Sequence, residues 1–216
     1  MEGAGSRLEE DVLAFYAPDG LLLELVAHTG TDERPPWERG PIPGGHAIRG
    51  LYSVTLTEDD LDTTAGMLTG TLGFRPVEET GGRFRFEMGP GGAGARVDVL
   101  AQPGASRGHV SVGTVHHVAW RAPDDETQLS WREQIVETGT RVTPVIDRKY
   151  FHSIYFREPG GVLLEMATDG PGFTIDEPAD RLGQSLQLPS WLEDERQQIE
   201  RHLPPLRVPE VSPRLE

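Results

Sequence analysis

The feature that most constrains this chain is that it repeats itself. The segment beginning at Phe15, FYAPDGLLLELVA, lies without a gap on FREPGGVLLEMAT beginning at Phe156, so that Pro18 falls on Pro159, Gly20 on Gly161 and Glu24 on Glu165. Each copy reads as a β-hairpin, because apolar and aromatic runs flank a Pro/Gly turn. A second correspondence joins GLYSVTLTEDDLDTTAGMLTGTLGFRPV, from Gly50, to TVHHVAWRAPDDETQLSWREQIVETGTRVTPV, from Thr114. In the first, a strand over Leu51 to Leu56 leads to a helix with Leu61, Ala65, Leu68 and Leu72 on one face, opened by Thr57 and Asp60 as a capping box and closed by Gly73. In the second, the strand is Val115 to Trp120, Asp124 or Asp125 caps a helix carrying Leu129, Ile135 and Val136, and Gly139 ends it. Strand-like stretches follow both helices: Phe84 to Met88 and Arg96 to Ala101, then Tyr150 to Arg157 and Val162 to Thr168.

The repeating unit is therefore βαβββ, and the fold class expected is α+β with paired modules of that kind. Two modules are complete, at residues 46–102 and 114–169, while residues 1–27 read as the remnant hairpin of an earlier one. Residues 28–45, with Pro35, Pro36, Pro41 and Pro43, are a linker, as is Gln102 to Gly113. Residues 170–216 are loop-rich. There Ser190 and Glu193 are expected to cap a short helix with Trp191, Leu192, Ile199 and Leu203, stopped by Pro204 and Pro205, and the tail reads as a clasp on the surface.

Composition narrows the partners. A formal charge of −15, from 35 acidic and 20 basic residues, repels nucleic acid and anionic membrane, which are bound through clustered Lys and Arg. No apolar run approaches the roughly 18 to 20 residues that span a bilayer, and the opening MEGAGSRLEEDV is acidic where a signal peptide is basic and then apolar, so a cytoplasmic protein is expected. Cysteine is absent, so a metal here would rest on His and carboxylate.

Glu165 sits in VLLEMA, a strand otherwise fit for burial, where an ionised and unpaired carboxylate costs several kcal/mol. An Arg partner or a water-facing edge would explain it without chemistry; a metal ion would explain it with chemistry. Strand alternation sends His116 and His117 to opposite faces, so one of them can face a given cavity. A lone His on an apolar strand is often a hydrogen-bonded core residue. Yet the first and last strands of one module both deliver residues to its concave face, and there His117 and Glu165 together favour a divalent metal. The module from Gly50 has Ser53 and Asp98 or Val99 at those places, so the fold itself does not demand the pair; Glu24, with no His opposite, reads as a vestigial or structural acid. Nitrogen and oxygen ligation without sulfur suits Fe(II), Mn(II), Zn(II), Ni(II) or Co(II), and two His with one carboxylate leaves positions open for O2 and a bidentate substrate. The second His is not evident. His28, His46, His109 and His202 read as solvent-exposed, His116 points away, and His152 suits an acid/base or supporting role.

The stretches VHHVAW, VTPVIDRKYFHSIYFREPGGVLLEMATDGPGF and DEPADRLGQSLQLPSWLE resemble the C-terminal part of the glyoxalase-type ring-cleaving dioxygenases, the hydroquinone-dioxygenase-like branch of the vicinal oxygen chelate superfamily. The resemblance covers essentially the whole chain and implies four βαβββ units binding Fe(II) foremost, or Mn(II), with an aromatic diol or hydroquinone and O2 as substrates. It carries two metal ligands over to His117 and Glu165, and pocket residues to His116, Arg148 and Tyr155. The family's N-terminal His ligand has no counterpart here, which leaves the source of a third ligand open, and the apolar edges left by the missing units predict association as a homo-oligomer or with a complementing N-terminal polypeptide. On this reading Arg148 stabilises anionic oxygen, Tyr155 donates a hydrogen bond, and His116 or His152 moves protons. Against it, Arg148 can be read as balancing acidic neighbours and Tyr155 as a core aromatic. Two other functions stay open: a glyoxalase-like metal-dependent lyase or isomerase, and a non-catalytic binding or subunit protein with an incomplete metal site.

Overall fold

The computed structural model of the chain describes residues 3–30, 32–37 and 40–205. β1 (Gly3–Arg7), β2 (Glu10–Tyr16) and β3 (Leu22–Ala27) form an antiparallel sheet in that order. The Pro/Gly hairpin is β2–β3; β1 is a strand that the glycine-rich GAGSR conceals in the sequence. β4 (Ser53–Glu58), α1 (Leu61–Gly66), β5 (Arg75–Thr80), β6 (Arg83–Glu87) and β7 (Arg96–Ala101) follow. Their sheet order is β4-β7-β6-β5, with β4 parallel to β7. β8 (Val118–Ala122), α2 (Asp125–Glu137), β9 (Ile146–Asp147), β10 (Phe151–Arg157) and β11 (Leu163–Pro171) repeat the pattern, in the order β8-β11-β10-β9, with β8 parallel to β11. The βαβββ order thus occurs twice, as paired modules of an α+β fold.

One core serves both modules. Leu56, Leu68, Leu72, Phe74, Phe86, Val97 and Val99 of the first meet Ile135, Ile154, Phe156, Leu164 and Met166 of the second. α1 begins at Asp60, whose carboxylate accepts from the Asp62 N–H, so Asp60 is itself the N-cap and the expected Thr57 box does not form. The helix continues as a π turn over Met67–Thr71, which brings Leu68 and Leu72 into the core before Gly73, at φ +74°, turns the chain. α2 is capped by Asp124 through the Thr127 N–H at 2.8 Å. It buries Ile135 and leaves Leu129 and Val136 exposed.

After β11 the chain runs through short 3-10 turns to α3 (Arg196–His202). The expected Ser190–Glu193 box does not form: Ser190 lies inside a 3-10 turn whose N-cap is Pro189, and the Glu193 carboxylate is held by Arg196 in a two-pronged ion pair. Among the described residues, no helix is long and apolar enough to cross a membrane.

The three copies of the last strand differ in what covers them. Leu164 and Met166 of β11, and Val97 and Val99 of β7, are at most 3% exposed, under the helix of their own module. Their counterparts on β3, Leu23 and Leu25, are 41% and 43% exposed. Where β7 and β11 each have a parallel neighbour on their outer side, β3 is the edge of its sheet.

Candidate functional site

The site is built on the face of the β8–β11 sheet opposite the core. Tyr155 is the cross-strand partner of Glu165 and Ser153 that of Ala167, so alternation along β10 and β11 puts Ser153, Tyr155 and Glu165 on one face. β8 enters parallel to β11 with Ala119 opposite Glu165, which places His117, two residues earlier, beside the same carboxylate. His117 Nε2 lies 2.7 Å from Glu165 Oε2. The other carboxylate oxygen accepts the Ser153 hydroxyl at 2.5 Å. Ser153 and Glu165 are buried, while His117 is half-buried at the mouth.

The equivalent acids of the other two sheets serve as a built-in control. Glu24 is gripped by Arg7 through both carboxylate oxygens. Asp98, opposite Arg85 on β6, receives Arg85 at 2.8 and 3.0 Å and Arg83 at 3.2 Å. Glu165 receives no arginine among the described residues; its neighbours are a hydroxyl and an imidazole. A buried carboxylate without a fixed cation needs either several hydrogen-bond donors or another source of positive charge, and Glu165 has one hydroxyl and one imidazole.

His116 does not lie on the opposite face from His117. The strand begins at Val118, so residues 114–117 escape alternation, and the two imidazoles meet at right angles with Nδ1 to Nδ1 at 2.8 Å. His116 is exposed. Tyr155 stands edge-on to the His117 ring, centroids 5.7 Å apart. Arg148, exposed on the turn before β10, puts Nη2 3.4 Å from the Tyr155 hydroxyl and its guanidinium over the ring at 5.5 Å. His116, His117, Arg148, Tyr155 and Glu165 are therefore one cluster, to which Ser153 is added. His152 is not in it. It lies on the other face of β10, the one that holds Ile154 and Phe156 in the core, and its Nδ1 is 2.6 Å from Asp125 Oδ1 at the start of α2. A small cavity of about 240 Å³ lies there, lined by Asp124, Asp125, His152 and Thr168 among others. His46, His109 and His202 are exposed; His28 is half-buried against Tyr52, ring centroids 4.9 Å apart.

The donor set fits a divalent ion at two positions. A metal on His117 requires Nε2 without its proton, which moves the ring proton to Nδ1, where His116 Nδ1 stands ready to accept it. Ser153 orients Glu165 through Oε1, so that Oε2, which faces His117 Nε2, is the oxygen an ion held by both residues would take. Among the described residues no cluster of three or more His, Asp or Glu side chains with metal-holding geometry occurs.

Two βαβββ modules sharing a core, with a His–Glu pair on the sheet face of one that lies away from that core, define a protein of the glyoxalase fold. The family model described as Glyoxalase/Bleomycin resistance protein/Dioxygenase superfamily matches residues 50–166. The chain is 42% identical, over 95% of its length and 65% of the relative's, to "Putative ring-cleaving dioxygenase MhqO" of Bacillus subtilis (strain 168). It is 30% identical, over 89% of its length and 61% of the relative's, to the chlorohydroquinone/hydroquinone 1,2-dioxygenase of Sphingobium indicum. The crystal structure of a "putative dioxygenase" from Bacillus subtilis subsp. subtilis str. 168 superimposes with a TM-score of 0.90 at 40% identity, covering 97% of this chain and 67% of that one. The chain thus belongs to the Glyoxalase/Bleomycin resistance protein/Dioxygenase superfamily, and it spans about two thirds of the length of the relatives it matches.

Proposed function

We propose that this chain carries the C-terminal part of the active site of a metal-dependent ring-cleaving dioxygenase acting on a catechol or hydroquinone. The observation that carries the reading is Glu165: alone among three equivalent strand acids, it faces an imidazole in place of an arginine. The relatives' names supply the substrate class, an aromatic diol with O2. His117 and Glu165 would hold the ion, Fe(II) foremost or Mn(II), and a third donor would come from polypeptide outside the described residues. When bound, a redox-capable divalent ion supplies Lewis acidity and electron exchange between an aromatic ring and O2. The chain's own groups do the rest. Arg148 and the Tyr155 hydroxyl form a paired donor site for a phenolate oxygen, and the Tyr155 ring beside His117 offers an aromatic edge to the substrate. His116, exposed and in contact with His117, is placed to take or return a proton at the rim.

The test is oxygen consumption with catechol and hydroquinone after anaerobic loading with Fe(II) or Mn(II). Glu165→Gln and His117→Ala should each lower both metal occupancy and oxygen uptake at least about tenfold, since losing only a ligand's hydrogen-bond partner already costs about that much. Turnover of a substrate by the metal-loaded protein without O2 would sink the dioxygenase reading in favour of a lyase or isomerase. The presence of two protein donors favours one further reading, a metal-free binding or subunit protein. Stoichiometric iron or manganese in the isolated chain, measured by elemental analysis, counts against it.

A further inference from the structure

Arg148 reaches the site from an exposed turn, and a guanidinium on such a turn needs something to keep it there. The turn runs from β9 to β10, closed by the Arg148 N–H donating to Phe151 O at 2.9 Å and the Lys149 N–H donating to Asp147 Oδ1 at 2.7 Å. Lys149 sits at φ +70°, a conformation that side-chain-bearing residues rarely adopt and that persists where surrounding contacts hold it. Those contacts come from the segment after β11. The Lys149 ammonium lies 2.5 Å from Asp176 Oδ2 and donates to Leu188 O at 3.2 Å. The Tyr150 hydroxyl donates to the same Asp176 oxygen at 3.0 Å. The Gly172 N–H donates to Tyr150 O at 2.8 Å, and the Phe173 ring packs on Tyr150 with centroids 5.0 Å apart. The hydrogen bond from Lys149 holds the Asp176 carboxyl below its ordinary range, so the ion pair is charged at neutral pH.

We propose that Asp176 is a positioning residue: through Lys149 and Tyr150 it clamps the turn from Asp147 to Phe151, and so holds the Arg148 guanidinium at Tyr155, facing His117 and Glu165. The tail after β11 would then be part of the site's construction, setting how far the anion-binding group stands from the metal-binding pair. The inference rests on reading that face as a substrate site, and the following measurements separate the two.

The first measurement needs no ligand. In NMR spectra of the metal-free chain, Asp176→Asn should shift the Arg148 amide and Tyr155 ring signals and cut amide-exchange protection at Arg148 about tenfold, with β4 to β7 unchanged. Lys149→Gly, which removes the ammonium and suits the left-handed backbone, should do the same. Unmoved Arg148 and Tyr155 signals in both variants overturn the clamp. The second measurement is calorimetric binding of catechol to Mn(II)-loaded protein. Asp176→Asn should weaken binding about tenfold when Arg148 is present and less than about twofold in an Arg148→Ala background. Equal losses in the two backgrounds overturn a positioning role, because they report a general loosening. If the wild type binds no catechol, the substrate-site reading fails, and the clamp is decided by the first measurement alone.

Discussion

Three carboxylates occupy the same place in three copies of one strand, and their neighbours decide what each can do. Glu24 and Asp98 are neutralised by arginine and hold structure. Glu165 meets Ser153 and His117 and is left with an oxygen that a cation can claim. A fourth acid shows what happens when burial leaves a carboxylate oxygen without a hydrogen-bond partner. Glu58, at the end of β4, and Glu158, in the turn before β11, are both almost fully buried, and a Cβ at Gly160 would lie 1.9 Å from Glu58 Oε2 and 2.9 Å from Glu158 Oε1. Glu158 is satisfied by the Thr64 hydroxyl at 2.7 Å and the Gly160 and Val162 amides at 2.9 and 2.8 Å, whereas Glu58 Oε1 is buried with no partner. Burial first, and the Glu158 charge second, push the Glu58 carboxyl up to about 7 against the opposing charge of Arg107. The native chain therefore keeps a proton that the unfolded chain releases at an ordinary carboxylate pKa of about 4.3. This group's contribution to stability is full below that value and is lost as pH rises through about 7. Glu58→Gln keeps the shape and removes the charge. Urea unfolding at about pH 5 and about pH 8 should show the wild type losing on the order of 2 kcal/mol relative to the variant across that interval. A wild-type-minus-variant difference that does not change with pH would mean that Glu58 is ionised throughout.

At the scale of elements, patterning carried information where the chain alternates or turns regularly. The Pro/Gly hairpins, the Asp124 cap and the apolar face of α1 can all be read from residue order, because each is a local rule. Where regularity stops, the reading fails: residues 114–117 are not strand, so alternation separated two histidines that the structure joins. Ser153 was silent because a serine in a strand carries no pattern of its own. Gln128 shows the same limit inside a helix, since a polar residue at a helix position reads as solvated. It is fully buried, and its amide nitrogen donates at 2.8 Å to both His152 O and Met166 O, stitching α2 to β10 and β11. Gln128→Leu fills similar space but strips both carbonyls of that partner. It should cost about 2 to 3 kcal/mol in urea unfolding, against about 1 kcal/mol for loss of the exposed cap in Asp124→Ala. Equal costs for the two variants would show that water replaces the amide.

At the scale of the whole molecule, the two module sheets use their concave faces differently, and long-range pairing that residue order cannot show makes the difference. The face of the β8–β11 sheet is open, with Arg148 and His116 exposed on it. The face of the β4–β7 sheet is covered by β1 to β3 and filled with charge. Arg85 lies between Glu10 of β2 at 2.5 Å and Asp98 of β7 at 2.8 Å, all three buried, while Arg96 bridges Glu10 and Glu87 at 3.0 and 2.7 Å. Tyr52 joins the same network through its hydroxyl. This joint is what attaches the first sheet, whose other face carries the exposed Leu23 and Leu25 and adds little burial of its own. Breaking a buried pair from one side leaves uncompensated charge, at a cost of about 3 to 5 kcal/mol, whereas replacing both partners with apolar groups can be nearly neutral. Arg85→Leu leaves Asp98 with Arg83, and Glu10 with Arg96 and the Tyr52 hydroxyl. It should lower stability by about 3 kcal/mol and open the turn from Ala17 to Leu21 to protease before the rest of the chain unfolds. Arg85→Leu combined with Asp98→Leu should recover at least about half of that loss. If the double variant is no more stable than the single one, the charges are already hydrated and the sheets are joined by something other than this pairing.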